Sequence, residues 1–113
     1  MVTPTQAALL RRLSIGDEAP IHRVIEDGSD VALDGRTTAL VRLASLIARG
    51  SGQSAYQRAV QSALDAGASV DEICALLLVL AQPAGTAAVI SAAPKVAIAL
   101  GYDVEAGLEE VVS

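Results

Sequence analysis

The stretch Ser69-Val70-Asp71-Glu72-Ile73-Cys74-Ala75-Leu76-Leu77-Leu78-Val79-Leu80-Ala81-Gln82-Pro83-Ala84-Gly85 decides how this chain folds. Its first four residues spell a capping box, in which the serine oxygen and the glutamate carboxylate each satisfy an orphan amide at a helix start. From Ile73 to Ala93 the chain runs 21 residues without a charge, about the length a bilayer requires. The middle of that run, however, is Gln82-Pro83-Ala84-Gly85-Thr86. Such a sequence breaks the backbone ladder where lipid offers no replacement hydrogen bonds. The stretch therefore reads as two buried helices joined at Gly85, and no membrane span is expected.

Working outward, the same punctuation recurs. Thr3 caps a first helix with Pro4 at its first position, and Ser14-Ile15-Gly16 stops it. Asp17 begins a second segment through Pro20 to Asp27, closed by Gly28. Asp34 caps a third helix that ends near Arg49 at Gly50, with Leu40, Leu43, Ala44 and Ile47 as its buried stripe. A fourth starts at Ser51 or Gly52 and ends at Ala66-Gly67. The fifth and sixth meet at Gly85. Pro94 is expected to kink the sixth helix or mark a second start, and Gly101 ends it. Asp103 to Val112 reads as a short acidic tail, and no period-2 strand pattern competes. The expected fold is all-α, a small helical domain of about six helices. Its parts are N-terminal helices over 1–30, a core over 33–100 and the tail over 101–113.

Composition bounds the rest. At 113 residues the chain is one domain, with 52% hydrophobic residues but only Tyr56 and Tyr102 as aromatics. The core must come from Leu, Val, Ile and many alanines. A domain this small buries only about two-thirds of its unfolded surface. A mean hydropathy of +0.48 then leaves more apolar surface than one protomer hides, and an obligate oligomer is expected. The net charge of −5 and pI near 4.6 argue against nucleic acid as a partner and are usual for a cytoplasmic protein. Arg11 and Arg12 interrupt what would be the apolar part of a signal peptide. Cys74, the single cysteine, permits neither an intrachain disulfide nor a Cys-rich metal site. No metal or other cofactor is expected. In its apolar surroundings, with no basic neighbour in sequence, Cys74 is expected to be a buried, inert thiol.

Three segments in order, Leu33-Asp34-Gly35-Arg36-Thr37, Ala63-Leu64-Asp65-Ala66-Gly67-Ala68-Ser69-Val70-Asp71-Glu72-Ile73 and Leu80-Ala81-Gln82-Pro83-Ala84-Gly85, resemble the carboxymuconolactone decarboxylase family, which includes the alkylhydroperoxidase D-like proteins. The resemblance implies an alkylhydroperoxidase D-like helical fold assembled as a trimer or hexamer. Its redox branch carries Cys-x-x-Cys-x-x-x-His before the Ala-Gly-Ala turn, at positions matched here by Gly52, Ala55 and Ala59. Those side chains can neither attack a peroxide nor relay a proton. Gly35 to Leu64 also holds no Asp or Glu to supply the family's upstream carboxylate. Ala59 likewise removes the histidine on which the decarboxylase branch relies. The volume lost along this row must be refilled by neighbouring helices or remain as a pocket.

The residues that could carry other chemistry are few. His22, the sole histidine, has Glu26 one turn on, a pair that orients an imidazole as a general base and equally a common surface pair. Tyr56 sits beside the emptied row, where its hydroxyl could meet a ligand or reach a backbone carbonyl as a core residue. His22 and Tyr56 are the catalytic candidates. Arg36, Arg42, Arg49 and Arg58 are half of the chain's eight basic residues, in a window without acids. Guanidinium suits carboxylate and phosphate, so Arg42 and Arg58, with Gln53, are the candidate ligand-binding residues for a small anionic or aromatic molecule. The alternative is a solvated face, or ion pairs with a neighbouring subunit. Three functions stay open: a decarboxylase-like enzyme on a small carboxylate or lactone with a rebuilt pocket, a non-catalytic oligomeric scaffold or ligand-binding relative, and a peroxidase using Cys74 alone.

Overall fold

A computed structural model of the protein describes residues 1–27, 32–102 and 104, and the acidic tail beyond Val104 lies outside the described residues. The described residues are helical, with six helices and no strand among them. They divide into two compact units, 1–32 and the part from Leu33 onward.

The first unit holds α1 (Pro4–Ser14) and α2 (Ala19–Asp27). Thr3 and Gln6 form a reciprocal capping box at the start of α1, and Pro4 fills a helical position whose amide would be unpaired anyway. Gly16 adopts φ +82, a conformation that any Cβ disfavours, and turns the chain. Asp17 then lies ahead of the helix rather than in it. One of its oxygens accepts from the Ala19 amide at 3.0 Å and the other takes the Arg12 Nε–H at 2.7 Å. The Arg12 bond, with the backbone bond next in weight, holds the Asp17 carboxyl below its ordinary 3.8.

The second unit holds α3 (Gly35–Arg49), α4 (Gln53–Asp65), α5 (Val70–Ala84) and α6 (Thr86–Ala99). Asp34 caps α3 through the Thr37 amide at 2.7 Å, and Ser69 and Glu72 close the capping box on α5 at 3.0 and 2.9 Å. The Glu72 carboxylate also receives Arg36 Nη1 at 2.9 Å, which joins the head of α3 to the head of α5. Two of the quoted sequence segments are thus tied to one another directly. α3 and α6 each pack against the other three helices of the unit.

The core gathers Ala39, Leu43 and Ile47 from α3, Tyr56, Val60 and Ala63 from α4, Ile73 from α5 and Ala92 and Val96 from α6, with Ala68 from the turn. The stripe of α3 keeps Leu43 and Ile47 of the expected four. Ala39 leads the buried row at i, i+4, i+8, and Leu40 and Ala44 are half-buried at its edges. Pro94 does not restart α6, which runs through it as one helix. The carbonyl that loses its partner belongs to Ile90, an exposed residue, so solvent can reach it. Cys74 is exposed, contrary to the expectation of burial. Ile73 points fully into the core, and one residue further the helix has turned by about 100°, so the thiol faces out. No helix among the described residues is long and apolar enough to cross a membrane.

The caps carry a pH dependence. Backbone hydrogen bonds are the first cause holding the Asp34 and Glu72 carboxyls below their ordinary 3.8 and 4.5, with Arg36 adding to both. A carboxyl depressed in the folded state contributes stability that is present above its unfolded value and lost as pH falls through its folded value. Denaturant midpoints are therefore expected to be flat above about pH 5 and to decline below about pH 4. Glu72→Gln keeps a box-forming side chain and removes the charge, so a titration of its midpoint should show a shallower acid limb than the parent.

Candidate functional site

The emptied row begins where α4 begins. Gly52 is the N-cap of α4, at φ −80 and ψ 165, and no side chain caps this helix. The amides of Ala55 and Tyr56 turn back to the Gly52 carbonyl, so the amides of Gln53 and Ser54 point out of the helix head without a side-chain acceptor. A Cβ at Gly52 would meet no atom within 4 Å. Ala55 and Ala59 follow it half-buried, Ala59 against the core.

One cation reaches this place, and it comes from α6. Lys95 Nζ donates to the Ser51 carbonyl at 2.9 Å, directly ahead of the α4 N-cap. Gln53 Nε2 donates to the Lys95 carbonyl at 2.8 Å, so the two residues clamp the head of α4 to α6. The ammonium lies 6.0 Å from the centroid of the Tyr56 ring, at the outer limit of a cation–π contact. No carboxylate pairs with Lys95 among the described residues, where the ion pairs are Arg12–Asp17 and Arg36–Glu72. Among the described residues this half-buried ammonium has a single carbonyl partner for its three donors.

Tyr56 is almost wholly buried and its hydroxyl donates to the Leu46 carbonyl at 3.1 Å. Burial pushes its phenol above the ordinary 10.0, so at neutral pH it is a neutral donor already engaged in the core. Gln53 is half-buried with its amide committed to Lys95 and its carbonyl oxygen free for another partner. Arg58 is exposed and lies two residues, about 200° of helix, from the buried Tyr56, on the opposite side of α4. Arg42 is exposed on α3. His22 and Glu26 are exposed on α2, in the first unit. Of the five sequence candidates, the structure brings together Gln53 and Tyr56, joined through Lys95.

Lys95 is not among the sequence candidates, although a signal for it exists. It is the only lysine of the chain and the only charged residue between Glu72 and Asp103. A lone charge in so apolar a helix needs a partner or a use. No cluster of three or more His, Cys, Asp or Glu that could hold a metal occurs among the described residues. The head of α4 offers donors and positive charge, and along its row it offers no thiol, imidazole or carboxylate. No curated protein and no solved structure matches the chain. The model of the carboxymuconolactone decarboxylase family does match, over residues 23–98, more than half of the 113, and with the helical fold and the three sequence segments it places the chain in that family.

Proposed function

We propose that this protein is a carboxymuconolactone decarboxylase-like member without thiol redox machinery, and that it takes a small carboxylate or lactone-type molecule at the head of α4. The observation that carries the reading is Lys95, an ammonium that makes no ion pair among the described residues and is held beside uncapped helix amides at a position opened by Gly52. An ammonium and free amides together suit one carboxylate, by charge and by hydrogen bonding. The same charge would stabilise an enolate developing on a bound lactone, the demand a decarboxylation makes. Gln53 supplies the polar contact, and the Tyr56 ring backs the lysine.

Succinate, titrated by calorimetry, is the probe. Saturable binding is expected, weakened about tenfold or more in Lys95→Gln, as removal of one charge-assisted bond gives. Arg42→Gln should bind as the parent does. Equal affinity of Lys95→Gln and parent overturns the reading. A non-catalytic ligand-binding relative is favoured over an enzyme by one feature: the tyrosine at this site is a raised-pKa donor whose hydroxyl is already engaged with the Leu46 carbonyl in the core.

We further propose that the protein works as an assembly of its own copies, a trimer or hexamer. Leu78, Val79 and Ile90 are 78%, 69% and 66% exposed on α5 and α6, a cost to a lone protomer in water. Sedimentation at micromolar concentration should return a multiple of 11.5 kDa, and Leu78→Asp should lower it. A single-protomer mass for the parent chain would reject assembly.

A further inference from the structure

We infer that the protein pairs with a second copy of itself through the outer face of α5, antiparallel and about a two-fold axis. The inference rests on the assembly proposed above and names its face and its symmetry. On α5, Asp71, Ala75, Leu78 and Gln82 are all exposed, at the i, i+4, i+7, i+11 spacing of one row along the helix. Cys74 is exposed beside Ala75, and Val79 is 69% exposed beside Leu78. The row is therefore small at Cys74 and Ala75 and large at Leu78, itself 78% exposed. A helix side that meets water ordinarily carries charged and polar residues. Here Asp71 is the one charge facing out, since Glu72 is turned to Arg36 and no other charged residue lies in the helix.

The row fits its own copy in one direction. Asp71 with Gln82, and Ala75 with Leu78, are symmetric about the same midpoint, between Leu76 and Leu77. A two-fold axis at that level brings the partner's Leu78 over the hole formed by Asp71, Cys74, Ala75 and Leu78, the i, i+3, i+4, i+7 setting that receives a knob when helices pack. Two of those four side chains are small, so the leucine has room. The same axis sets the partner's Gln82 beside Asp71, an amide donor for a carboxylate acceptor. It opposes the two helix dipoles and leaves the two Asp71 carboxylates about 16 Å apart along the helices, beyond a screening length of about 8 Å. A parallel pair instead sets carboxylate against carboxylate and aligns the dipoles. The antiparallel pair covers Cys74, and reagents reach the thiol as the pair opens. A two-fold face also makes the assembly even-numbered, which selects the hexamer over the trimer.

Charge exchange on the full chain, read by sedimentation, tests this. Ala75→Glu and Leu78→Lys each replace an exposed side chain, so neither disturbs the core. Each alone sets two like charges within about one turn of each other across the axis, and each is expected to sediment at half the parent mass. In an equal mixture the introduced carboxylate of one chain faces the introduced ammonium of the other. The parent mass should return, with association about tenfold tighter, or more, than in either variant alone. An assembled parent whose single variants keep its mass, or whose mixture fails to reassociate, overturns the pairing and leaves assembly standing. A parent that sediments at 11.5 kDa overturns both.

Discussion

Tyr56→Ala is expected to remove about 3–5 kcal/mol of stability, enough to leave little folded protein in a domain whose total is about 5–15 kcal/mol. Tyr56 is the largest fully buried side chain, 1% exposed, and it packs at the centre of the cluster built by α3, α4, α5 and α6. With so few aromatics in the chain, nothing of similar volume lies nearby to fill the space. Tyr56→Phe keeps the ring and removes only the hydroxyl. The Leu46 carbonyl that accepts this hydroxyl also accepts the Gly50 amide at 2.8 Å, so it is not orphaned. The cost should then be about 1 kcal/mol, and succinate binding should survive. Urea denaturation of the two variants separates a core role from a ligand role. A phenylalanine variant of normal stability that no longer binds succinate would return the hydroxyl to the site.

Hydroperoxide turnover is the second result with a large expected effect, because it should be absent beyond the background of an ordinary thiol. Attack of a thiolate on the peroxide O–O bond leaves a sulfenic acid and an alcohol, and a neighbouring thiol must then condense with that acid to release water and form a disulfide. Gly52 and Ala55 provide neither sulfur, and Cys74 is the chain's single thiol. Its exposure on α5 makes it reachable, so it is the missing second thiol and not burial that stops the cycle. An assay with an alkyl hydroperoxide and a dithiol reductant should give the same slow rate for the parent and for a free thiol compound. Turnover well above that rate and abolished by Cys74→Ser would reinstate the peroxidase reading.

What could be read directly from the sequence lies within a turn or two of backbone. Thr3 with Gln6, Asp34 before Gly35 and Ser69 with Glu72 each mark a helix start through bonds between residues three apart. Gly50 and Gly85 mark breaks, at φ +78 and +90. Such signals survive in a one-dimensional reading because the energy that sets them is local. On α4 the inward face of Tyr56, Val60 and Ala63 follows from helical spacing, and on α3 Leu43 and Ile47 are buried as expected while Ala39 takes the place of Leu40 and Ala44, since periodicity gives the width of a stripe better than its centre.

Sequence alone determined the helical character of the described residues, the family and the absence of a dithiol, since each depends on residue type and near-neighbour spacing. Tertiary structure alone decided which side chains meet. Lys95 reaches Ser51 and Gln53 across 44 and 42 positions, and the Tyr56 hydroxyl finds Leu46 on another helix. Cys74 turned outward while its neighbour turned in, because the direction of a side chain about its helix axis is set by which helices pack against it. Those packings are the sum of many weak contacts between segments far apart in the chain, and no local pattern encodes them.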